Sequence, residues 1–124
     1  MAKKILLVED NEQNRTLLKD LLEYFGYEVF EAEDGAEGVA RAREHLPDLI
    51  LLDIQMPVMN GFEAIADLRS DPATAKAKII ALTSFAMKGD REKIMAAGFD
   101  GYIAKPFDTR ELPKLVKQLL EGEE

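Results

Sequence analysis

Four apolar, strand-like runs of this sequence each end in or near residues that can do chemistry. In chain order these residues are Glu9 and Asp10, then Asp53, then Thr83, and finally Lys105. In an open α/β sheet, ligands bind outside the carboxyl ends of the strands, at the point where the strand order reverses. The pattern therefore predicts three carboxylates, one hydroxyl and one amine at one edge of a single sheet.

Carboxylates that lie together repel one another, and this repulsion limits what the predicted site can be. At an effective dielectric constant of about 20, two like unit charges about 4 Å apart cost about 4 kcal/mol. The site must therefore raise the pKa of a carboxyl group or bind a cation. Oxygen ligands without His or Cys select a hard ion such as Mg²⁺. A carboxylate beside that ion can attack a phosphoryl group, while an ammonium and a hydroxyl hold the transferred oxygens.

Segments of helical periodicity separate the apolar runs. The predicted strands are 5–8, 28–32, 49–52, 79–82 and 102–104, and the predicted helices are 11–25, 35–44, 61–69, 88–97 and a last one from its cap at Asp108 to about 121. Alternating strands and helices with short connections imply a parallel sheet with helices on both faces. Five strands favour a flavodoxin-like (βα)5 doubly wound α/β fold with strand order 2-1-3-4-5. That order makes strands 1 and 3 neighbours, so Glu9 and Asp10 would lie beside Asp53.

The composition predicts one soluble domain. Of the 124 residues, 47% are hydrophobic and 32% are charged, which suffices for a single core over about residues 4–120. The net charge of −8 argues against binding to nucleic acid or to anionic membranes. The sequence has no cysteine, no apolar stretch long enough for membrane insertion and no apolar signal region at its start. We therefore expect a cytoplasmic protein that forms a single domain over residues 1–124.

Four motifs resemble those of the receiver domains of two-component response regulators. They are Val-Glu-Asp-Asn at 8–11, Leu-Asp-Ile-Gln-Met-Pro-Val-Met-Asn-Gly at 52–61, Ala-Leu-Thr-Ser at 81–84 and Lys-Pro-Phe at 105–107. The resemblance extends from Lys4 to about Leu120. It implies that Asp53 accepts a phosphoryl group from a histidine kinase or a histidine phosphotransfer protein.

The resemblance also implies which residues bind the metal ion and which contact the phosphoryl group. The groups that would bind Mg²⁺, for which Mn²⁺ could substitute, are the carboxylates of Glu9, Asp10 and Asp53 and the backbone carbonyl of Gln55. Glu9 would act through water. Thr83 and Lys105 would contact the phosphoryl oxygens.

A conformational switch is the third implication of the resemblance. Thr83 would move toward the phosphoryl group, and Tyr102 would turn from solvent into the space that Thr83 leaves. The face around the fourth helix, the fifth strand and the fifth helix would then bind a downstream protein. Gln55 and Phe85 would tune the lifetime of the phosphorylated form, and Pro106 would follow a peptide bond that the family often holds cis.

Three other functions share part of this pattern. An Mg²⁺-dependent phosphatase with an aspartate nucleophile has a second Asp two residues later, where this chain has Gln55, and it needs room for a cap. A flavin carrier of the same topology would find its phosphate repelled by the acidic loop 9–12. An interaction module that is never phosphorylated would have lost an acidic or lysine position, and none is lost here. We therefore expect a signalling protein rather than an enzyme, a monomer or weak homodimer without an output domain.

Overall fold

Five strands and five helices alternate along the chain in the computed structural model, which describes residues 2–56, 58–84 and 88–121. In order they are β1 (Lys4–Val8), α1 (Glu12–Tyr24), β2 (Glu28–Ala32), α2 (Gly35–His45), β3 (Leu49–Asp53), α3 (Gly61–Ser70), β4 (Lys78–Thr83), α4 (Lys88–Ala96), β5 (Gly101–Ala104) and α5 (Glu111–Glu121). The largest difference from the predicted elements is at α5, which begins at Glu111 rather than directly after Asp108. None of the helices within these ranges is long and apolar enough to cross a bilayer.

The strands form one parallel sheet in the order β2-β1-β3-β4-β5, which confirms the predicted flavodoxin-like topology. β1 and β3 are neighbours and pair with Val8 opposite Leu52. At the other neighbouring pairs, Asp53 lies opposite Leu82 and Thr83 lies opposite Ala104. The chain segments that follow the four strands β1, β3, β4 and β5 therefore emerge at the same edge of the sheet.

Each buried strand supplies side chains to two apolar clusters, one on each face of the sheet, because successive side chains of a strand point in opposite directions. One cluster packs under α2, α3 and α4 and includes Leu6, Val8, Ile50, Leu52, Ile79, Ala81, Ile65, Leu68 and Ile94. The other packs under α1 and α5 and includes Ile5, Leu7, Leu49, Leu51, Ile80, Leu82, Leu18, Leu22, Leu112 and Val116. Burial on both faces explains why the strands read as continuous apolar runs.

A capping box sets the start of α3 and so the end of the loop that follows β3. The Asn60 side chain accepts a hydrogen bond from the Glu63 backbone N–H at 2.9 Å, and the Glu63 side chain accepts one from the Asn60 N–H at 3.0 Å. A Cβ atom on Gly61 would lie 2.7 Å from the Cα of Ile54. Gly61 therefore allows the first turn of α3 to approach the backbone just after β3.

Arg69, at the end of α3, joins three chain segments at the amino edge of the sheet. Its guanidinium donates to the carbonyl oxygens of Ala75 at 2.7 Å, Ala77 at 2.6 Å and Gly98 at 2.8 Å. It also lies 2.9 Å from the carboxylate of Asp100, which accepts a further bond from the backbone of β4. The planar guanidinium has several N–H donors, so one Arg side chain can bind these three carbonyls and the carboxylate together.

We expect Arg69→Ala to lower the free energy of unfolding by about 2–4 kcal/mol, because several carbonyl groups and one carboxylate lose a charged donor. Urea denaturation of the variant measures the change. The matched control is Arg43→Ala, which breaks the exposed ion pair of Arg43 with Asp71 at 2.8 Å and should cost at most about 1 kcal/mol. Equal losses in the two variants would contradict the structural role of Arg69.

Candidate functional site

Three carboxylates meet where β1 and β3 end. One oxygen each of Glu9, Asp10 and Asp53 lies within 4.8 Å of the other two. Glu9 and Asp53 are fully buried, whereas Asp10 is exposed. The juxtaposition predicted from the strand order is therefore present, and it places two carboxyl groups out of contact with water.

The side chain of Lys105 reaches this cluster from the end of β5. Its ammonium Nζ lies 2.7 Å from Asp53 Oδ2 and 3.4 Å from Glu9 Oε1. Burial by itself would lower the pKa of Lys105, but the hydrogen bond and the charge of Asp53 outweigh burial and hold that pKa above its ordinary value. Lys105 thus stays charged beside the acids. The peptide bond between Lys105 and Pro106 is cis, as the resemblance implies.

Glu9 is the carboxyl group that the cluster perturbs most clearly. The pKa of Glu9 is raised from 4.5 to about 7, and burial is the largest cause. The charge of Asp53 also raises this pKa, whereas the hydrogen bond from the Asn11 N–H and the charge of Lys105 lower it. That hydrogen bond goes to Oε2 at 3.1 Å. Oε1 is buried and accepts no hydrogen bond from any described residue. Near neutral pH, Glu9 therefore holds a proton for much of the time when only protein groups surround it.

This pKa predicts how the stability of the metal-free protein depends on pH. Because the pKa of Glu9 rises on folding from 4.5 to about 7, the folded state binds more protons between these values, and stability falls as the pH rises through that window. We expect a loss on the order of 2 kcal/mol between pH 5 and pH 8. Urea denaturation in the presence of a chelator measures it. In Glu9→Gln this pH-dependent part of the stability should be absent. Equal slopes of stability against pH for the wild type and the variant would contradict the raised pKa of Glu9.

Hydrogen bonds from the adjoining loops hold the carboxylate of Asp53 and join the loops to each other. The backbone N–H of Gln55 donates to Asp53 Oδ1 at 2.9 Å. The Gln55 side-chain oxygen accepts a hydrogen bond from the backbone N–H of Ser84 at 3.2 Å, which ties the loop after β3 to the loop after β4. Thr83 is buried at the end of β4, and its carbonyl accepts a hydrogen bond from the Lys105 N–H at 2.8 Å. The Asp53 carboxylate therefore has one oxygen on a backbone N–H and the other on an ammonium.

Comparison with known proteins identifies the family that this geometry belongs to. The response regulator receiver domain family matches residues 5–117 of the chain. The chain belongs to this family. It is accordingly a phospho-accepting component of two-component signalling, in which receiver domains act with histidine kinases or phosphotransfer proteins. The family is one of signalling proteins, which sets aside the phosphatase and flavin-carrier alternatives.

Relatives of this receiver domain match it over nearly its whole length. The polar-differentiation response regulator DivK of Brucella anthropi is 43% identical over 120 residues, which cover 97% of this chain and 98% of that protein. DivK of Brucella ovis has the same identity and the same coverage. These full-length matches agree with a receiver domain that spans most of the 124 residues.

Solved structures of receiver-type proteins superpose closely on this receiver domain. The Vibrio cholerae chemotaxis protein CheY4 has a TM-score of 0.90 at 32% identity, with 96% of this chain and 99% of that chain covered. The receiver domain of the sensor histidine kinase PA1611 from Pseudomonas aeruginosa has a TM-score of 0.90 at 37% identity, with 98% and 99% covered. That structure carries a magnesium ion coordinated in its active-site cleft.

Two further predicted residues of the receiver domain, Tyr102 and Pro106, have described surroundings. The ring of Tyr102 is half-buried against the apolar cluster under α2, α3 and α4. Its hydroxyl accepts a hydrogen bond from Arg91 at 3.4 Å. Pro106 lines a cavity of about 440 Å³ together with Lys105 and other residues. Phe85 lies outside the described residues. Sequence reasoning missed the contact of the Gln55 side chain with Ser84, because no spacing rule connects two loops through one amide.

Proposed function

We propose that Asp53 is the phosphoacceptor of this receiver domain. The supporting observation is the arrangement of its carboxylate, which is fully buried, bound by the Gln55 N–H and 2.7 Å from the Lys105 ammonium. A nucleophile needs positioning, and the incoming anion needs positive charge, and both are supplied here by the folded chain. In the transfer, an Asp53 oxygen bonds to phosphorus while the bond from phosphorus to the donor's histidine nitrogen breaks, and the electron pair of that bond stays on the nitrogen.

The same site fits Mg²⁺ by its donor chemistry. Its ligand atoms are all oxygens, and the buried Oε1 of Glu9 accepts no hydrogen bond from the described part of the chain. Such an atom is stabilised by a cation, and the Lys105 ammonium, 3.4 Å away, supplies part of that stabilisation. The groups that would hold Mg²⁺, or Mn²⁺ in its place, are the carboxylates of Glu9, Asp10 and Asp53 and the backbone carbonyl of Gln55. A bound Mg²⁺ neutralises charge on phosphoryl oxygens.

Thr83 and Lys105 have the remaining roles in the proposed transfer. The Lys105 ammonium exchanges its contact with Asp53 Oδ2 for a phosphoryl oxygen, so it keeps an anionic partner throughout. Thr83, buried at the end of the neighbouring strand β4, donates a hydrogen bond from its hydroxyl to another phosphoryl oxygen. Both residues also assist the later hydrolysis of the aspartyl phosphate. Neither step requires the fold to open, because Thr83 ends the strand that pairs with β3 and the Lys105 ammonium already lies 2.7 Å from Asp53.

The proposed signal is a change in the surface around α4, β5 and α5. Movement of Thr83 toward the phosphoryl group makes room for Tyr102, whose ring already packs partly against the core under α4. Phosphorylation shifts the population only by the difference in its interaction with the two states. Gln55, whose backbone N–H donates to Asp53, tunes the lifetime of the phosphorylated form together with Phe85 and Pro106. The partners proposed are a histidine kinase or phosphotransfer protein and a downstream protein, with the receiver domain monomeric or weakly dimeric in the cytoplasm.

The metal assignment is tested by titrating Mg²⁺ into the wild type and into Asp10→Asn, with backbone amide NMR shifts as the readout. We expect the variant to bind Mg²⁺ at least about 10-fold more weakly, since removal of even an outer-shell partner of a metal costs that much. Asp20→Asn, at an exposed position of α1, is the matched control and should bind like the wild type. Unchanged affinity in Asp10→Asn would remove Asp10 from the site.

A further inference from the structure

Arg15 reaches from α1 back to the end of β1, where two of the three clustered acids lie. Its Nη1 donates a hydrogen bond to the backbone carbonyl oxygen of Glu9 at 2.8 Å. Its Nε lies 3.3 Å from Oε1 of Glu31 on β2, and only 13% of the Arg15 side chain is exposed. One guanidinium therefore connects the loop after β1 to the neighbouring strand.

Glu31 holds the Arg15 guanidinium in this position. Glu31 lies opposite Leu7 in the register of β1 and β2, one strand away from the acidic cluster. Its second oxygen is 3.4 Å from Nζ of Lys19, one helical turn after Arg15 on α1. The Glu31 carboxylate thus forms ion pairs with both Arg15 and Lys19, and it fixes the direction from which Arg15 approaches Glu9.

We infer that Arg15 is a positioning residue for the metal ligands, because it fixes the peptide group between Glu9 and Asp10. This inference rests on the proposed function. On one side of Glu9, the backbone N–H donates to the carbonyl of Ala32 at 3.1 Å. On the other side, the carbonyl accepts from Arg15. Both peptide groups of Glu9 are therefore held, and the direction in which the chain enters Asp10 is set.

Asp10 depends on this restraint more than Glu9 does. The Glu9 carboxylate is buried and bound by the Asn11 N–H. The Asp10 side chain is exposed, and none of the residues in 2–56, 58–84 and 88–121 donates a hydrogen bond to its carboxylate. Among the described residues, its own backbone is therefore the main restraint on where these oxygens can lie. A shift of the peptide between Glu9 and Asp10 would move a metal ligand without unfolding the domain.

The chemistry of the guanidinium explains why this position carries Arg. Two of its N–H groups point in different directions within one plane, so it can bind the Glu9 carbonyl and the Glu31 carboxylate together. An ammonium is a point charge that satisfies one of these partners well and the other poorly. Lys at position 15 should therefore hold the loop less firmly than Arg while keeping the charge.

The experiment measures Mg²⁺ affinity by amide NMR shifts in the wild type, Arg15→Ala and Arg15→Lys. Loss of a partner that orients metal ligands typically weakens metal binding by about 10-fold to 100-fold, and we expect a loss of this size in Arg15→Ala. Arg15→Lys should bind with intermediate affinity. If Arg15→Ala does not fold, Arg15→Gln replaces it with the same expectation. Urea denaturation without metal measures stability separately, because a purely structural role would lower stability and leave the affinity of the folded protein unchanged.

Controls separate this inference from the proposed function. Arg43→Ala removes the ion pair of Arg43 with Asp71, at the C-terminal end of α2 and away from Arg15, and should bind Mg²⁺ like the wild type. If the wild type binds Mg²⁺ and Asp10→Asn does not, while Arg15→Ala and Arg15→Gln bind like the wild type, only the inference on Arg15 is overturned. If the wild type itself does not bind Mg²⁺, the metal part of the proposed function is overturned instead.

Discussion

Replacement of Asp53 with Asn is expected to abolish phosphorylation of the protein by acetyl phosphate in the presence of Mg²⁺. The amide has nearly the shape of the carboxylate, and its side-chain oxygen can still accept the hydrogen bond from the Gln55 N–H, which is 2.9 Å long in the wild type. What it lacks is the anionic oxygen that attacks phosphorus. The fold should persist while the reaction stops, and intact-protein mass spectrometry measures the phosphoryl adduct directly.

The matched control is Asp67→Asn, at a half-buried residue of α3. It makes the same chemical change away from the acidic cluster and should be phosphorylated like the wild type. An adduct that forms in Asp53→Asn as fast as in this control would refute Asp53 as the acceptor. The same measurement decides between the proposed function and a receiver-like interaction module that is never phosphorylated. In that alternative, the wild type itself would gain no phosphoryl group from acetyl phosphate.

The fold could be predicted because its elements depend on local patterns that this chain carries clearly. β3 is fully buried and is an unbroken run of Leu and Ile up to Asp53. α1 has Asn11 at its N-cap, where the side chain accepts from the Asn14 N–H at 2.8 Å, and Gly26 at positive φ just after its end. Asp108 caps α5 as predicted, because its side chain accepts from the Arg110 N–H at 2.8 Å and from the Glu111 N–H at 3.3 Å. Only the first regular helical residue, Glu111, comes later than predicted, after a turn at Thr109 and Arg110.

The site could be predicted only as far as the topology fixes it. Strand order brings Glu9 and Asp10 to Asp53 whatever the side-chain conformations are, so their convergence follows from the sequence pattern. The raised pKa of Glu9 depends on complete burial, which no spacing reveals. The contacts of Gln55 with Ser84 and of Arg15 with Glu9 depend on rotamers that reach between separate segments. These contacts appear only when the packed structure is known.

The role of Lys105 can be separated from that of the acids, because removal of its ammonium should affect Mg²⁺ binding and phosphoryl transfer in opposite directions. Lys105 lies 2.7 Å from Asp53 and 3.4 Å from Glu9, so it neutralises part of the charge that would attract Mg²⁺. Its removal should therefore leave Mg²⁺ affinity unchanged or increase it. Phosphoryl transfer should respond in the other direction, since the incoming anion loses its ammonium partner.

Lys105→Met keeps most of the length of the side chain without its charge. We expect it to slow phosphorylation by acetyl phosphate by about 100-fold to 1,000-fold, the usual effect of removing one donor that stabilises a transition state. Mass spectrometry over time gives the rate, and the Mg²⁺ titration is repeated on the same sample. Lys117→Met, at an exposed position of α5, is the matched control. A slower reaction with weaker Mg²⁺ binding would show that Lys105 mainly maintains the acidic cluster, whereas a slower reaction with intact or tighter Mg²⁺ binding assigns its ammonium to the phosphoryl group.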